Sequence, residues 1–190
     1  MFLVKHLLEV CDSSNLRIVP VSSEAAFWTL GMDYQSADFA SHLLGAVPAK
    51  EKMSAIDYGW TKGILALYRA AYTRRHPESV VVIVSPGSVP NTNLLRKVSL
   101  SLKVIAKLGL CLGGSHTVLD GAERYVWALL GTGPFDDSVS SGTFWASRKG
   151  FAKDFGNVET LKKARFIADQ DHQEKACAVV QSFVVEGEGM

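Results

Sequence analysis

Apolar positions along the chain recur with two different periods. Phe2, Leu3, Leu7, Leu8 and Val10 recur at helical spacing, and Asp12-Ser13-Ser14-Asn15 breaks that helix. Arg17-Ile18-Val19-Pro20-Val21-Ser22-Ser23 follows, a β-branched run that reads as a buried strand ending in two hydroxyls. Pro20 counts against regular pairing, because proline withholds one ladder donor. Residues 24–52 show no period and include Gly31, Gly45 and Pro48, the pattern of a binding loop or lid. Ala55, Ile56, Ile64, Leu65, Leu67, Tyr68 and Ala71 predict a long helix over about 53–75, closed by Arg74-Arg75-His76-Pro77.

Val80-Val81-Val82-Ile83-Val84 is apolar without a break, as in a parallel strand buried on both faces. Ser85-Pro86-Gly87 then signals a turn. The segment 94–112 is apolar but carries Lys97, Lys103 and Lys107. A second helix is predicted over 115–130, through Ala122, Tyr125, Val126, Ala128 and Leu129. Gly142-Thr143-Phe144-Trp145-Ala146 reads as a short strand, and a polar helical tail as spanning about 158–183. Strands alternating with helices predict an α/β fold with a parallel sheet and right-handed crossovers. Three strands can be counted this way, few for a sheet covered on both faces.

Composition narrows the possibilities. A chain of 190 residues, 47% hydrophobic and 21% charged, can bury one sizeable core and is no disordered polymer. Twenty basic against 19 acidic residues leave a net charge of +1, no electrostatic reason for a nucleic-acid partner. No apolar run approaches the ~18 residues that span a bilayer. The first ten residues lack a basic start and a small-residue cleavage site, so no secretory leader is expected. The location that follows is cytoplasmic, or peripheral to an internal membrane. Cys11, Cys111 and Cys177 are odd in number and far apart, which predicts free thiols in a reducing compartment. His6, His42, His76, His116 and His172 show no ligand spacing, and no metal site is expected.

Candidate chemistry falls at three places. Ser22 and Ser23 end the first strand, Tyr58 and Lys62 lie four apart on one face of the long helix, and Pro86-Gly87-Ser88-Val89 follows the second strand. Ligands of open α/β sheets bind outside the carboxyl ends of strands. A tyrosine hydroxyl has an ordinary pKa near ~10, and an adjacent ammonium lowers it. Such a pair can exchange a proton with an alcohol or carbonyl oxygen that a serine hydroxyl holds in place. Taken alone, the pair fits a half-buried packing tyrosine and a solvated lysine better than it fits a catalytic pair.

In that order, strand-Ser-Ser, insert, Tyr-x-x-x-Lys on a helix and strand into Pro-Gly-x-Val, the chain resembles the short-chain dehydrogenase/reductase family over about residues 1–150. Residues 2–10 look like the helix before the serine strand, and residues 17–23 like the family's Arg-Ile-Val-Asn-Val-Ser-Ser, with Pro20 in the asparagine's place. The resemblance implies that Ser23 orients the substrate and Tyr58 is the general acid/base. It implies that Lys62 lowers the Tyr58 pKa and holds the nicotinamide ribose. Pro86, Gly87 and Val89 would line the nicotinamide pocket, with Asn91 or Thr92 where the family has a threonine. The implied activity is NAD(P)-dependent interconversion of an alcohol and a carbonyl on a small or lipophilic substrate. The long insert between Ser23 and Tyr58 is nearest to the retinol-dehydrogenase, sterol keto-reductase and protochlorophyllide-reductase-like branches.

One family feature is absent. No Thr-Gly-x-x-x-Gly-x-Gly loop occurs, and Gly113-Gly114 comes after the active-site elements. The implied fold is a partial Rossmann-type doubly wound parallel sheet without its N-terminal dinucleotide-binding half. Residues 1–150 would be the catalytic half and 151–190 the polar tail. A fragment of a longer protein, or a truncated gene, explains this most simply. An unpaired strand edge and uncovered helix faces then predict poor solubility, weak stability or dependence on a partner. A chain in that state is weak or inactive as an enzyme, and the alternative is a non-catalytic fragment acting as an interaction module.

Further partner surfaces are implied. Family members pair through helices matching 1–11 and 53–75, which suggests a homo-oligomer. Residues 98–112 match the family's substrate lid, read either as a lid or membrane-surface contact or as an amphipathic helix covering the core. Arg148, Lys149, Lys153, Lys162, Lys163 and Arg165 are interspersed with Asp154, Glu159 and Asp169, more a solvated face than an anion site.

Overall fold

The run 80–84 lies at the middle of the sheet, as its unbroken apolar character predicts. It comprises β2 (Val80–Val81) and β3 (Ile83–Val84). On one side β1 (Arg17–Ile18) pairs parallel with β2, Arg17 opposite Val80 and Ile18 opposite Val81, and Val21 makes a further parallel bridge to Val84. On the other side β4 (Phe144–Ser147) pairs parallel with β3, and β5 (Phe155–Asn157) pairs antiparallel with β4. The structure, a computed structural model, describes residues 17–29, 55–90, 104, 108, 115–135, 141–148, 154–158 and 165–188.

Pro20 interrupts the ladder. Val82 donates to the Ile18 carbonyl at 3.0 Å, Val84 to that of Pro20 at 3.2 Å, and Ser22 to that of Val84 at 2.9 Å. The parallel pattern calls for one more donor between these, from residue 20 to the Val82 carbonyl, and proline has none. The predicted strand is therefore present but broken, with regular pairing at Arg17–Ile18 and a single bridge at Val21.

Alternation along the central strands builds two cores. Ile83, Phe144 and Ala146 bury on one face with Trp60, Ile64 and Leu67 of α1 (Ala55–Arg75). Val82 and Val84 bury on the other with Ala128 of α2 (Val118–Leu130) and Phe135, and Val19, Tyr125, Trp145 and Phe155 pack beside them. Helices thus cover both faces of a small mixed sheet, an α/β arrangement. The end of α2 is set locally: Thr117 and Asp120 form a reciprocal capping box at its start, and Gly131 closes it in the left-handed region at φ 66°. The Arg17 guanidinium donates to the Ala128 carbonyl in the last turn of α2, where a cation is favourable.

The tail is part of this core. After β5 come α3 (Arg165–Ala168) and α4 (Gln170–Glu188). Phe166, Ile167, Ala176 and Val179 bury in the same cluster as α1. Arg74 and Arg75 both grip Glu174, and Arg74 also reaches Gln173. Of the basic residues in this region, Arg148 pairs with Asp154 at 2.6 Å where β4 turns into β5. Strand β5 escaped the sequence pattern because Phe-Gly-Asn has no strand signature of its own, and its pairing with β4 defines it.

Cys177 is a buried free thiol, and Cys11 and Cys111 lie outside the described residues. So do the predicted helix at the amino terminus, most of the insert, and the segment 98–112 except Val104 and Leu108, which are helical and exposed. Among the described residues no helix is long and apolar enough to cross a membrane, and no group of three or more His, Cys, Asp or Glu could hold a metal.

Candidate functional site

Two neighbouring parallel strands end at the same level. Ser22 is tied to the Val84 carbonyl and is 1% exposed, so Ser23 leaves the sheet beside Ser85, whose own N–H still donates to the Trp145 carbonyl at 2.8 Å. Ser23 is half-buried. Its Oγ accepts the Ala25 N–H at 3.2 Å at the start of a 3-10 helix, Glu24–Thr29, which leaves the hydroxyl proton to be donated.

Tyr58 lies in the first turn of α1, and its phenol is within hydrogen-bonding reach of the Ser23 side chain. Burial pushes the phenol pKa above its ordinary value, and the bond to Ser23 pulls it partly back. Lys62, one turn on, carries its Nζ 5.6 Å from the centre of the Tyr58 ring and donates to the Val21 carbonyl at 3.0 Å. Burial lowers its own pKa. The sequence reading expected Lys62 to hold the Tyr58 pKa down. In this arrangement the ammonium is committed to a backbone carbonyl, desolvation dominates, and the phenol is protonated at neutral pH.

The second strand runs into Pro86-Gly87. Gly87 has φ 78°, and a Cβ there would lie 2.3 Å from His116 Cδ2. Its N–H donates to Ser85 Oγ at 3.2 Å, and His116 donates its own N–H to the Ser88 carbonyl at 2.7 Å. Pro86 and Val89 pack under α2, where a Cβ on Gly121 would stand 3.0 Å from Val89 Cγ2 and 3.4 Å from Pro86 Cβ. Asn91 and Thr92 lie outside the described residues.

Behind the turn sits a polar cluster that the sequence reading did not find. Arg124 donates from Nη2 to His116 Nε2 at 3.0 Å and to Ser147 Oγ at 3.2 Å, and from Nη1 to the Ser85 carbonyl at 3.3 Å. The guanidinium lies 4.4 Å over the Phe155 ring. Ser147 donates its N–H to the Glu24 carboxylate at 2.8 Å. Burial pulls the Arg124 pKa down, and Glu24 and Asp120 oppose it. Arg124 stands one turn after Gly121 and directly after Glu123, a weak signal that becomes meaningful only once α2 is seen to lie on the strand ends. Tyr125 is next to it, with a phenol raised by burial and by the charge of Tyr58.

The structure therefore brings Ser23, Tyr58 and Lys62 together at one rim of the sheet. A phenol, a hydroxyl and an ammonium beside a glycine turn can hold an oxygen-bearing ligand by hydrogen bonds, while the sequence holds no Gly-rich loop for a pyrophosphate. A cavity of about 250 Å³ lined by Thr73, Arg74, Gly142 and Gln173 lies near the far end of α1, about 15 residues or ~22 Å along the helix from Tyr58. It is separate from this site.

No protein-family description matches the chain, and no curated protein matches it. Among solved structures the chain is similar to an uncharacterized protein from Mycobacterium Paratuberculosis, 16% identical, over 89% of this chain and 50% of that one, with a TM-score of 0.48. The chain spans about half the length of that protein. At this overlap the likeness bears on neither family nor function.

Proposed function

We propose that this chain carries the proton-transfer end of an NAD(P)-dependent oxidoreductase site of the short-chain dehydrogenase/reductase kind, on a partial Rossmann-type sheet, and interconverts an alcohol and a carbonyl on a small or lipophilic substrate. The observation that carries this reading is the approach of the Ser23 hydroxyl to the Tyr58 phenol, with Lys62 one helical turn away, at the ends of adjacent parallel strands. The nicotinamide, when bound, supplies or takes the hydride. Ser23 holds the substrate oxygen, and the protonated Tyr58 phenol donates to it as a carbonyl is reduced. Lys62 ties helix to strand through the Val21 carbonyl and has two further donors for ribose hydroxyls. Pro86, Gly87 and Val89 would line the ring pocket.

The test is NADPH-dependent ketone reduction by the full chain at millimolar dinucleotide, since the missing phosphate loop predicts no binding tighter than roughly millimolar. Tyr58→Phe is expected to lower the rate by about 100-fold or more. A Tyr58→Phe protein as active as the wild type sinks the reading. A second reading, a non-catalytic interaction module, is favoured by one observation. Val118, Leu119, Val126, Leu129 and Leu130 form an exposed apolar face on α2, opposite its buried side. Absence of turnover in the full chain, with self-association or capture through this face, supports it.

A further inference from the structure

Helix α2 is built inside out. Its buried residues are Gly121, Arg124 and Ala128, small or charged, whereas Val118, Leu119, Val126, Leu129 and Leu130 stand between 50% and 69% exposed. At 3.6 residues per turn, these five and the exposed Ala122 fall within an arc of about 120°. Asp120, engaged in the cap, and Glu123 lie outside that arc. An apolar stripe of such width normally faces a core, and this one faces outward. The stripe also reads the same from either end of the helix. Val118 mirrors Leu130, Leu119 mirrors Leu129, and Ala122 mirrors Val126, all about residue 124. Two copies of α2 laid antiparallel therefore set apolar on apolar at every position, with the small Ala122 opposite Val126 on both sides of the axis. A two-fold contact requires that self-complementarity. No charge lies in the stripe to select a different partner.

We propose that the outer face of α2 binds α2 of a second copy of this chain, antiparallel, with the two-fold axis passing between Ala122 and Val126. The six side chains present on the order of 500 Å² per copy, large for a patch left in water, and with their rim they reach the ~800 Å² per partner of a standard interface. Helix α1 packs on the opposite face of the sheet, so this contact is distinct from one through residues 53–75. The inner side of α2 carries Arg124 on the Ser85 carbonyl and Gly121 against Pro86 and Val89, so pairing braces the candidate site without entering it. The contact is independent of whether the chain turns over a substrate, and it stands apart from both functional readings.

The experiment is sedimentation velocity of the full chain at micromolar concentration, which is expected to show a species of twice 20.6 kDa. Leu119→Glu and Leu129→Lys, each alone, set a charge against a leucine and are expected to weaken association about tenfold or more. Combined in one chain, the new Glu and Lys face each other at both ends of the contact, and most of the association is expected to return. Leu119→Glu with Leu129→Glu sets like charges together and is expected to stay monomeric. An acid in the first turn and a base in the last suit the helix dipole, and circular dichroism checks that every variant is folded. A monomeric wild type overturns the proposal, whether another segment of this chain or a different protein then covers the face. A dimer indifferent to both single substitutions places the contact elsewhere and overturns it too. A Glu/Lys variant no better associated than the Glu/Glu variant overturns the antiparallel pairing.

Discussion

The Lys62 ammonium donates to the carbonyl of Val21, 41 residues earlier in the chain, at 3.0 Å. That carbonyl is on the outer side of the serine strand, away from the ladder that Ile18, Pro20 and Ser22 make with the central run. One side chain thus fastens the helix bearing Tyr58 to the strand bearing Ser23.

Lys62→Met keeps the aliphatic stem and removes the tie. Because the bond is solvent-exposed, the expected loss is about 1 kcal/mol, or roughly 2–4 °C in Tm. The same variant is expected to lose ketone-reducing activity out of proportion to that. A thermal melt alongside a rate measurement decides it, and full activity would remove Lys62 from the site.

Gly87→Ala meets two obstacles at once. The backbone is at φ 78°, and the new Cβ would overlap the His116 ring at 2.3 Å. Left-handed strain and overpacking together predict a loss of roughly 2–5 kcal/mol by urea unfolding. A neutral substitution would show that the turn is not held against His116.

Arg124→Leu removes the hub between His116, Ser147 and the Ser85 carbonyl, and strips Glu24 of a nearby positive charge. Removing the charged donor that these buried groups share is expected to cost about 2–4 kcal/mol. The loss should be shared by a double variant with Ser147→Ala rather than summed, which a double-mutant cycle measures. Strict additivity would mean the two side chains act independently.

Alkaline pH is expected to destabilise the fold. Tyr58, Tyr68, Tyr72 and Tyr125 all titrate above the ordinary 10.0, and Cys177 above 9.0, each chiefly through burial. The folded state therefore holds these protons longer than the unfolded chain does. Their contribution is present in full below the unfolded values and is lost as pH rises through the folded ones. Lys62 acts oppositely, its pKa lying below 10.5, so its burial cost is relieved over the range beneath that value. Four phenols and a thiol outweigh one ammonium, and urea midpoints should fall above about pH 10. A midpoint that holds steady to pH 11 contradicts this.

Much of the framework was legible before any coordinates. The continuous apolar run 80–84 can satisfy both its faces only as a central strand, and it is one, with parallel neighbours on either side. The four-residue spacing of Tyr58 and Lys62 fixed their shared helical face, and the hydroxyls of 22–23 their place at a strand end. Pro20 announced the gap in the ladder that the hydrogen bonds display. These are local consequences of period, branching and a missing N–H.

What depended on the tertiary structure is everything set by a partner distant in the chain. Strand β5 exists because β4 offers an edge to it, and the polar tail becomes core because Phe166 and Ile167 find the α1 surface. The protonation of Tyr58 follows from how deeply its ring is buried and from where the Lys62 ammonium goes, and helical spacing encodes neither. The cluster of Arg124, His116, Ser147 and Glu24 joins residues up to 123 positions apart. Periodicity along a chain records which face a side chain takes, whereas desolvation and hydrogen bonding depend on what stands opposite that face, and only the folded packing supplies it.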